Sequence, residues 1–293
     1  MTVAEAEAEA ALGRAMTSAE AAWFRYSATM PDSWLLWHSG LFFFLLYMVV
    51  PLPVLLLEQL APAVVLPYKL QSRVWLPLAT VGRYLRDTAA VVLLVIGPYN
   101  VVTYYAAKMA GIRMGLPLPS LGEVMGQLVV YSLLEDYLSY WIHRLLHTKW
   151  GYSNIHRVHH ELTSPTGYAT SYGHWSEIII FTIPTFAGPA IVPCHVTTYC
   201  LWFSVRLLEA IETHCGYDFP FNPVKLIPFY GGAEFHDYHH LVGGKSQSNF
   251  GSVFTYCDYI YGTDKGYRYR KALAKQNTME KGGNEGFISA KHN

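Results

Sequence analysis

Apolar positions gather in blocks along this chain, and the blocks are divided by polar segments. Residues 34–57 ("WLLWHSGLFFFLLYMVVPLPVLLL") are long enough to cross a bilayer as a helix, with Pro51 and Pro53 set to kink or end it. Residues 87–107 predict a second crossing, broken at Gly97-Pro98, and residues 121–142 a third, interrupted by Glu135 and Asp136. The runs 178–193 and 196–211 read as a helical hairpin. The pattern divides the chain into a polar N-terminal segment, 1–33, and membrane helices with their loops, 34–120. A histidine-bearing region, 121–270, contains the hairpin 178–211, and a polar tail, 271–293, follows. The N-terminal segment is rich in Ala and Glu and has no leader pattern, so the first apolar run reads as an uncleaved anchor.

Composition agrees with a membrane class. The 293 residues are 52% hydrophobic and 14% charged, against roughly 25% charged in soluble domains. Mean hydropathy is +0.18. Net charge is zero, which gives no footprint for nucleic acid. Cys194, Cys200, Cys215 and Cys257 show no paired spacing and read as free thiols. If 178–211 crosses and returns, residues 143–177 and 212–293 share one side. Arg144, Lys149, Arg157, Lys225, Lys245, Lys265 and Arg268 mark that side as cytosolic. The expected fold is an all-α integral membrane protein with a cytosolic, histidine-rich helical cap.

The polar segments hold the chemistry. "HRLLH" supplies His143 and His147; "HRVHH" supplies His156, His159 and His160; "HDYHH" supplies His236, His239 and His240. Spacings of three and four put each set on one helical face. His174, heading "HWSE", and His214, in "ETHCGY", are further candidates at the same boundary. A single metal cannot use so many imidazoles, because a four-coordinate zinc takes at most four ligands. Two metals can, and so the cap is expected to hold a dinuclear site. Imidazole suits Zn, Cu, Fe and Ni alike; a nitrogen-rich pair of sites points toward redox iron. Asp136 and Asp237 are expected to accept imidazole N–H bonds that fix the rings. Glu177, Glu209 and Glu212 either do the same or cap helix ends. His38, His195 and His292 read as ordinary structural or surface histidines. His195 falls at the turn of the hairpin and His214 at its exit. A helix between them rises roughly 27 Å, which leaves His214 with the clustered histidines and His195 at the opposite interface.

The three boxes resemble the integral-membrane fatty acid hydroxylase superfamily, which includes sterol desaturases, fatty acid hydroxylases and C-4 sterol methyl oxidases. "EDYLSYWIHRLLHTKWGYSNIHRVHHE", "RLLEAIETHCGYDFP", "IPFYGGAEFHDYHH" and "FTYCDYIYGTDKGYR" are similar to the plant sterol 4α-methyl oxidases over about residues 20–270. "HWSE" departs from the H-P-x-E of many relatives, and with "GGKSQSNFGSVFTYCDYIYGTDKGYR" it looks like the branch acting on 4,4-dimethyl rather than 4α-monomethyl sterols. The resemblance implies two iron ions and O2 as co-substrate. It also implies electrons from NAD(P)H through a reductase and cytochrome b5, and oxidation of the C-4 methyl group at the endoplasmic reticulum membrane. A separate dehydrogenase would then decarboxylate. No b5-like H-P-G-G occurs here, so the donor is another protein.

The same boxes also occur in very-long-chain aldehyde decarbonylases, which release alkane from fatty aldehyde. The chain stops about fifty residues past its third box, without the further C-terminal domain of full-length wax proteins, which favours the sterol expectation. A third class, a non-catalytic membrane scaffold, has no evident need for eight intact box histidines.

Overall fold

A computed structural model describes residues 2–245 and 247–289, and His292 lies outside the described residues. The described chain is helical, with isolated bridges but no named strand. The polar N-terminal segment forms α1 (Val3–Leu12) and α2 (Ser18–Ser27), each opened by a capping box, Thr2 with Glu5 and Thr17 with Glu20. The first apolar run becomes α3 (Asp32–Val49) and α4 (Leu52–Leu60), divided where Pro51 removes a backbone donor. A short α5 (Pro62–Val65) follows. The second run is longer than its sequence boundaries. It comprises α6 (Leu78–Val91), a π-helical turn and α7 (Gly97–Met109), with a 47° bend at the Gly97-Pro98 step.

Among the described residues, Asp32–Leu60 is long and apolar enough to cross a membrane, and the bent pair makes a second if counted as one span. Leu41, Phe42, Leu45 and Val49 stand exposed along α3, a surface suited to hydrocarbon. The helices around the histidines do not reach that length and apolarity. They are α8 (Leu121–Leu146), α9 (Lys149–Gly151), α10 (Trp175–Ile191) and α11 (Val196–Thr213), followed by α12 (Gly232–Val242), α13 (Tyr256–Tyr261) and α14 (Lys265–Ser289).

Helices α8, α10 and α11 form the frame of the site. At Gly188 of α10, an added Cβ would lie 2.6 Å from the Tyr131 ring of α8. The missing side chain therefore permits the close approach. Tyr131 also donates to the Val192 carbonyl at 2.5 Å and packs edge-on to Trp202 of α11 at 5.7 Å. The far end of the frame is tied by backbone bonds from Arg113 N–H to Cys194 O (2.9 Å) and from Val196 N–H to Arg113 O (2.8 Å). Trp23 reaches the same corner and donates to Met114 O at 2.9 Å. All four cysteines are free.

The close approach of α8 and α10 gives a paired test. Gly188→Leu should cost about 1–3 kcal/mol through overpacking and lower the melting temperature of the detergent-solubilised protein. Gly126→Ala, in the interior of α8 with nothing within 4 Å of its added Cβ, should gain about 0.5–1 kcal/mol. Equal melting temperatures for the two variants would contradict the packing described.

Candidate metal centre

The boxes converge from three directions. His143 lies in the last turn of α8 and His147 is its C-cap. The second box does not lie on an α-helix as its spacing suggested. His156 ends a π-helical turn, Tyr152–His156, and His159 and His160 occupy a 3-10 turn. The third box lies on α12, and His214 is the C-cap of α11. The second and third boxes meet face to face, with the His160 and His240 rings stacked 4.7 Å apart.

Nine buried imidazoles sort into two groups, and within each group the nitrogens lie within 4.8 Å of one another. The first holds His143, His147, His156, His160 and His239; the second holds His159, His214, His236 and His240. The H-x-x-H-H spacing explains the sorting. In the second box the outer pair, His156 and His160, joins one group while His159 crosses to the other. In the third box His236 and His240 pair and His239 crosses. Residues four apart thus share a group, and the residue between them serves the neighbouring one.

Hydrogen bonding shows which nitrogen faces inward for most of the rings. Backbone carbonyls stand opposite five Nδ1 atoms: Phe250 O for His143 (2.9 Å), Tyr172 O for His159 (3.0 Å), Ala210 O for His214 (2.8 Å), Ser248 O for His239 (2.7 Å) and Leu162 O for His240 (2.9 Å). A carbonyl only accepts, so those Nδ1 atoms carry the proton and their Nε2 atoms present lone pairs. Glu177 Oε1 lies 2.9 Å from His156 Nδ1.

The lone pairs then face one another. His214 Nε2 and His159 Nε2 are 3.3 Å apart, and both rings have their proton on the other side. Two acceptors cannot bond to each other, and only a cation between them turns the repulsion into attraction. Protonation does not supply it. Burial pushes His156, His159, His236, His239 and His240 below the ordinary imidazole range, with neighbouring histidines adding to the effect at all but His159. The donor set therefore suits two metal ions, one held by five nitrogens and one by four, with no carboxylate in either group.

Several expected site residues stand elsewhere. His174 belongs to neither group; it is the N-cap of α10, its Nδ1 accepting from Ser176 N–H at 3.4 Å and meeting Ser176 Oγ at 2.7 Å. Asp136 touches no imidazole, because its Oδ1 accepts from Val253 N–H (3.0 Å) and Phe254 N–H (2.9 Å). Asp237 accepts from Gln71 Nε2 at 2.9 Å instead of from a ring, and burial pushes its carboxyl up to about 6. Both aspartates therefore tie loops to helices. Glu177 alone of the three meets a ring. His195 is remote from both groups, bonded to Gly115 O (3.0 Å) and Thr197 Oγ1 (2.9 Å).

Sequence reasoning missed the loop that supplies two of the carbonyls. Asn249 adopts φ +56°, a left-handed conformation that asparagine tolerates, and its amide donates to Phe235 O at 3.0 Å. The carboxylate of Asp258 accepts from Phe250 N–H (2.8 Å) and Gly251 N–H (2.6 Å). These bonds point Ser248 O and Phe250 O at the rings. No spacing in the sequence marks them.

A cavity of about 300 Å³ opens on both groups between α8, α10 and α11. His143, His156, His159, His214 and His236 form one part of its wall, and Phe181, Phe203 and Leu207 line the apolar remainder.

A helical frame carrying a buried, two-part histidine centre beside an apolar cavity defines a metal-dependent, lipid-directed class of enzyme. The chain belongs to the fatty acid hydroxylase family. The family model matches residues 128–263. A protein of Oryza sativa subsp. japonica named very-long-chain aldehyde decarbonylase is 63% identical over 91% of this chain and 89% of its own. Methylsterol monooxygenase 1-1 of Arabidopsis thaliana is 55% identical over 92% of this chain and 91% of its own, and methylsterol monooxygenase 1-3 is 54% identical over 94% of each. No solved structure matches the chain.

Substitutions at the rim of the centre discriminate its parts. His214→Ala should lose bound metal, while His195→Ala and His174→Ala should keep it. Glu177→Gln should weaken metal binding about 10–100-fold, and Asp237→Asn should leave it unchanged. Metal per chain by mass spectrometry reads all five. Metal loss in His195→Ala with retention in His214→Ala would overturn the assignment.

Proposed function

We propose that this chain is a membrane-bound, two-iron monooxygenase that oxidises the C-4 methyl group of a methylsterol, with 4,4-dimethylsterols as preferred substrates. The observation that carries the proposal is the pairing of metal-ready nitrogens with an apolar cavity in one wall. Iron would be held by His143, His147, His156, His160 and His239 in one group and by His159, His214, His236 and His240 in the other. When bound, it supplies activation of O2 for breaking an unactivated C–H bond.

The chain's own part is positioning and exclusion. The Nδ1 acceptors orient six of the nine rings so that Nε2 faces the centre, as outer hydrogen bonds do in metal sites generally. Phe181, Phe203 and Leu207 give a rigid apolar body somewhere to lie without water. The methyl group is presented where His143, His156, His159 and His214 border the cavity. Electrons come from NAD(P)H through a reductase and cytochrome b5, which dock on the cytosolic face of an endoplasmic reticulum membrane. The products pass to the other enzymes of C-4 demethylation. The N-terminal membrane helices and the basic residues flanking the boxes support this placement.

A second reading, aldehyde decarbonylation, is favoured by one observation: the relative of that name is 63% identical. The same centre and the same cavity would serve an alkyl aldehyde. Sterol profiling after expression in cells lacking their own C-4 methyl oxidase separates the two. Loss of accumulated 4,4-dimethylsterol supports the proposal. Unchanged sterols, with alkane formed from a long-chain aldehyde by the purified protein, would replace it.

A further inference from the structure

A second buried polar set lies beside the centre and takes no part in holding metal. Arg206 of α11 forms an ion pair with Glu135 Oε1 of α8 at 2.9 Å and with Glu209 Oε2 one turn along its own helix. Arg206 also donates to Ser252 Oγ at 3.0 Å. Ser139 donates to Glu135 Oε1 at 2.8 Å. Glu135 and Ser139 are 2% and 1% exposed. Glu135 Oε2, Glu209 Oε1 and Arg206 Nε are buried with no hydrogen-bond partner.

The position of this set is as telling as its composition. Glu135 and Arg206 line the cavity of the histidine centre and also a second cavity of about 400 Å³. That outer cavity has Glu209, Glu212, Asn222 and Tyr230 in its wall and is rimmed by the exposed 221–229 loop. On α8, Glu135, Ser139 and His143 stand four residues apart, on one stripe that leads from the shared wall to the first histidine group.

Charge counting gives the set a function. One guanidinium faces two carboxylates, and Asp136 adds a third nearby. Its Oδ1 is satisfied by Val253 and Phe254 N–H and its Oδ2 is unpartnered. The other titratable neighbours offer no further cation: Glu212 is held by Tyr230 Oη (2.5 Å) and Asn222 (2.6 Å), and Tyr256 donates to Leu133 O (3.3 Å). Like charges this close and this deeply buried do not all ionise, so the set retains a proton on an otherwise bare carboxylate oxygen.

We infer that Glu209, Glu135 and Ser139 form a proton-delivery path from the outer cavity to the histidine centre. Arg206 holds the two carboxylates side by side. The inference rests on the monooxygenase reading. Insertion of one oxygen atom of O2 into a C–H bond sends the other oxygen out as water. That consumes two electrons from the external reductant and two protons per turnover. The cavity wall is largely apolar, and an imidazole committed to a metal through Nε2 has no proton to give from that atom, so the protons must be brought in. The Ser139 hydroxyl turns from Glu135 to give its proton toward the centre and takes a replacement from Glu135, and Glu135 is refilled from Glu209 through water in the outer cavity.

The test combines spectroscopy with turnover. The resting metal-loaded protein should show a carboxylic-acid C=O infrared band that shifts in D2O and is lost in Glu135→Gln or Glu209→Gln. Glu135→Gln should keep its metal, its melting temperature and its KM, while kcat falls at least about tenfold and the solvent deuterium isotope effect on kcat rises. Glu135→Asp should recover part of the rate. Ser139→Ala, a smaller change, should raise the isotope effect in the same way even if Glu135→Gln does not fold. An unaltered infrared band, an unaltered isotope effect, or a rate that falls only together with metal content would overturn the path and leave a structural tie between α8 and α11. A wild-type protein that oxidises no C–H substrate while retaining the infrared band would defeat the monooxygenase reading and the delivery role. The stored proton would still stand.

Discussion

Nine imidazoles with their lone pairs turned toward one another are the constraint on which this structure depends. Six of the rings are held by what lies behind them: a backbone carbonyl in five cases and the Glu177 carboxylate in a sixth, while Nδ1 of His147, His160 and His236 is buried with no partner. A ring so held has only Nε2 left for the centre, and its neighbours present Nε2 as well. Where two such rings meet without a cation, as at His159 and His214, the lone pairs repel, and a cation between them turns the repulsion into attraction. The frame of α8, α10 and α11, the turn that carries the second box and the 248–251 loop all serve to bring those rings together.

The sequence made the histidine boxes legible because histidine is scarce and the spacing repeats. It also separated His214 from His195, since one hairpin helix has two ends and only one of them lies with the boxes. The sorting of each box into an outer pair and a crossing residue could have been anticipated from three- and four-residue spacing, though the π-helical and 3-10 turns of the second box could not. His174 was drawn in by proximity in sequence, but the first turn of α10 uses it as a cap. Asp136 and Asp237 were drawn in by lying near box histidines. Their actual partners, the Val253 and Phe254 amides and Gln71, come from segments more than a hundred residues away in the chain. Backbone carbonyls leave no mark in a sequence, so the acceptors that orient the rings were invisible.

The membrane reading divides in the same way. The apolar run 34–57 was evident from composition, and the break at Gly97-Pro98 from the chemistry of proline. Helix α8 looked like an interrupted span because Glu135 and Asp136 fall within it. In the structure both carboxylates are buried against other helices, where Arg206 and backbone amides meet them. What reads as a flaw in a lipid-facing helix is the polar side of a helix that faces the enzyme's interior.

The most direct test of the central claim is the metal content of the purified wild-type chain together with its X-ray absorption spectrum. The proposal of one iron in each group of inward-facing nitrogens predicts two iron ions per chain, each surrounded by nitrogen scatterers and no sulfur. One ion per chain, or a shell dominated by sulfur, would contradict the account.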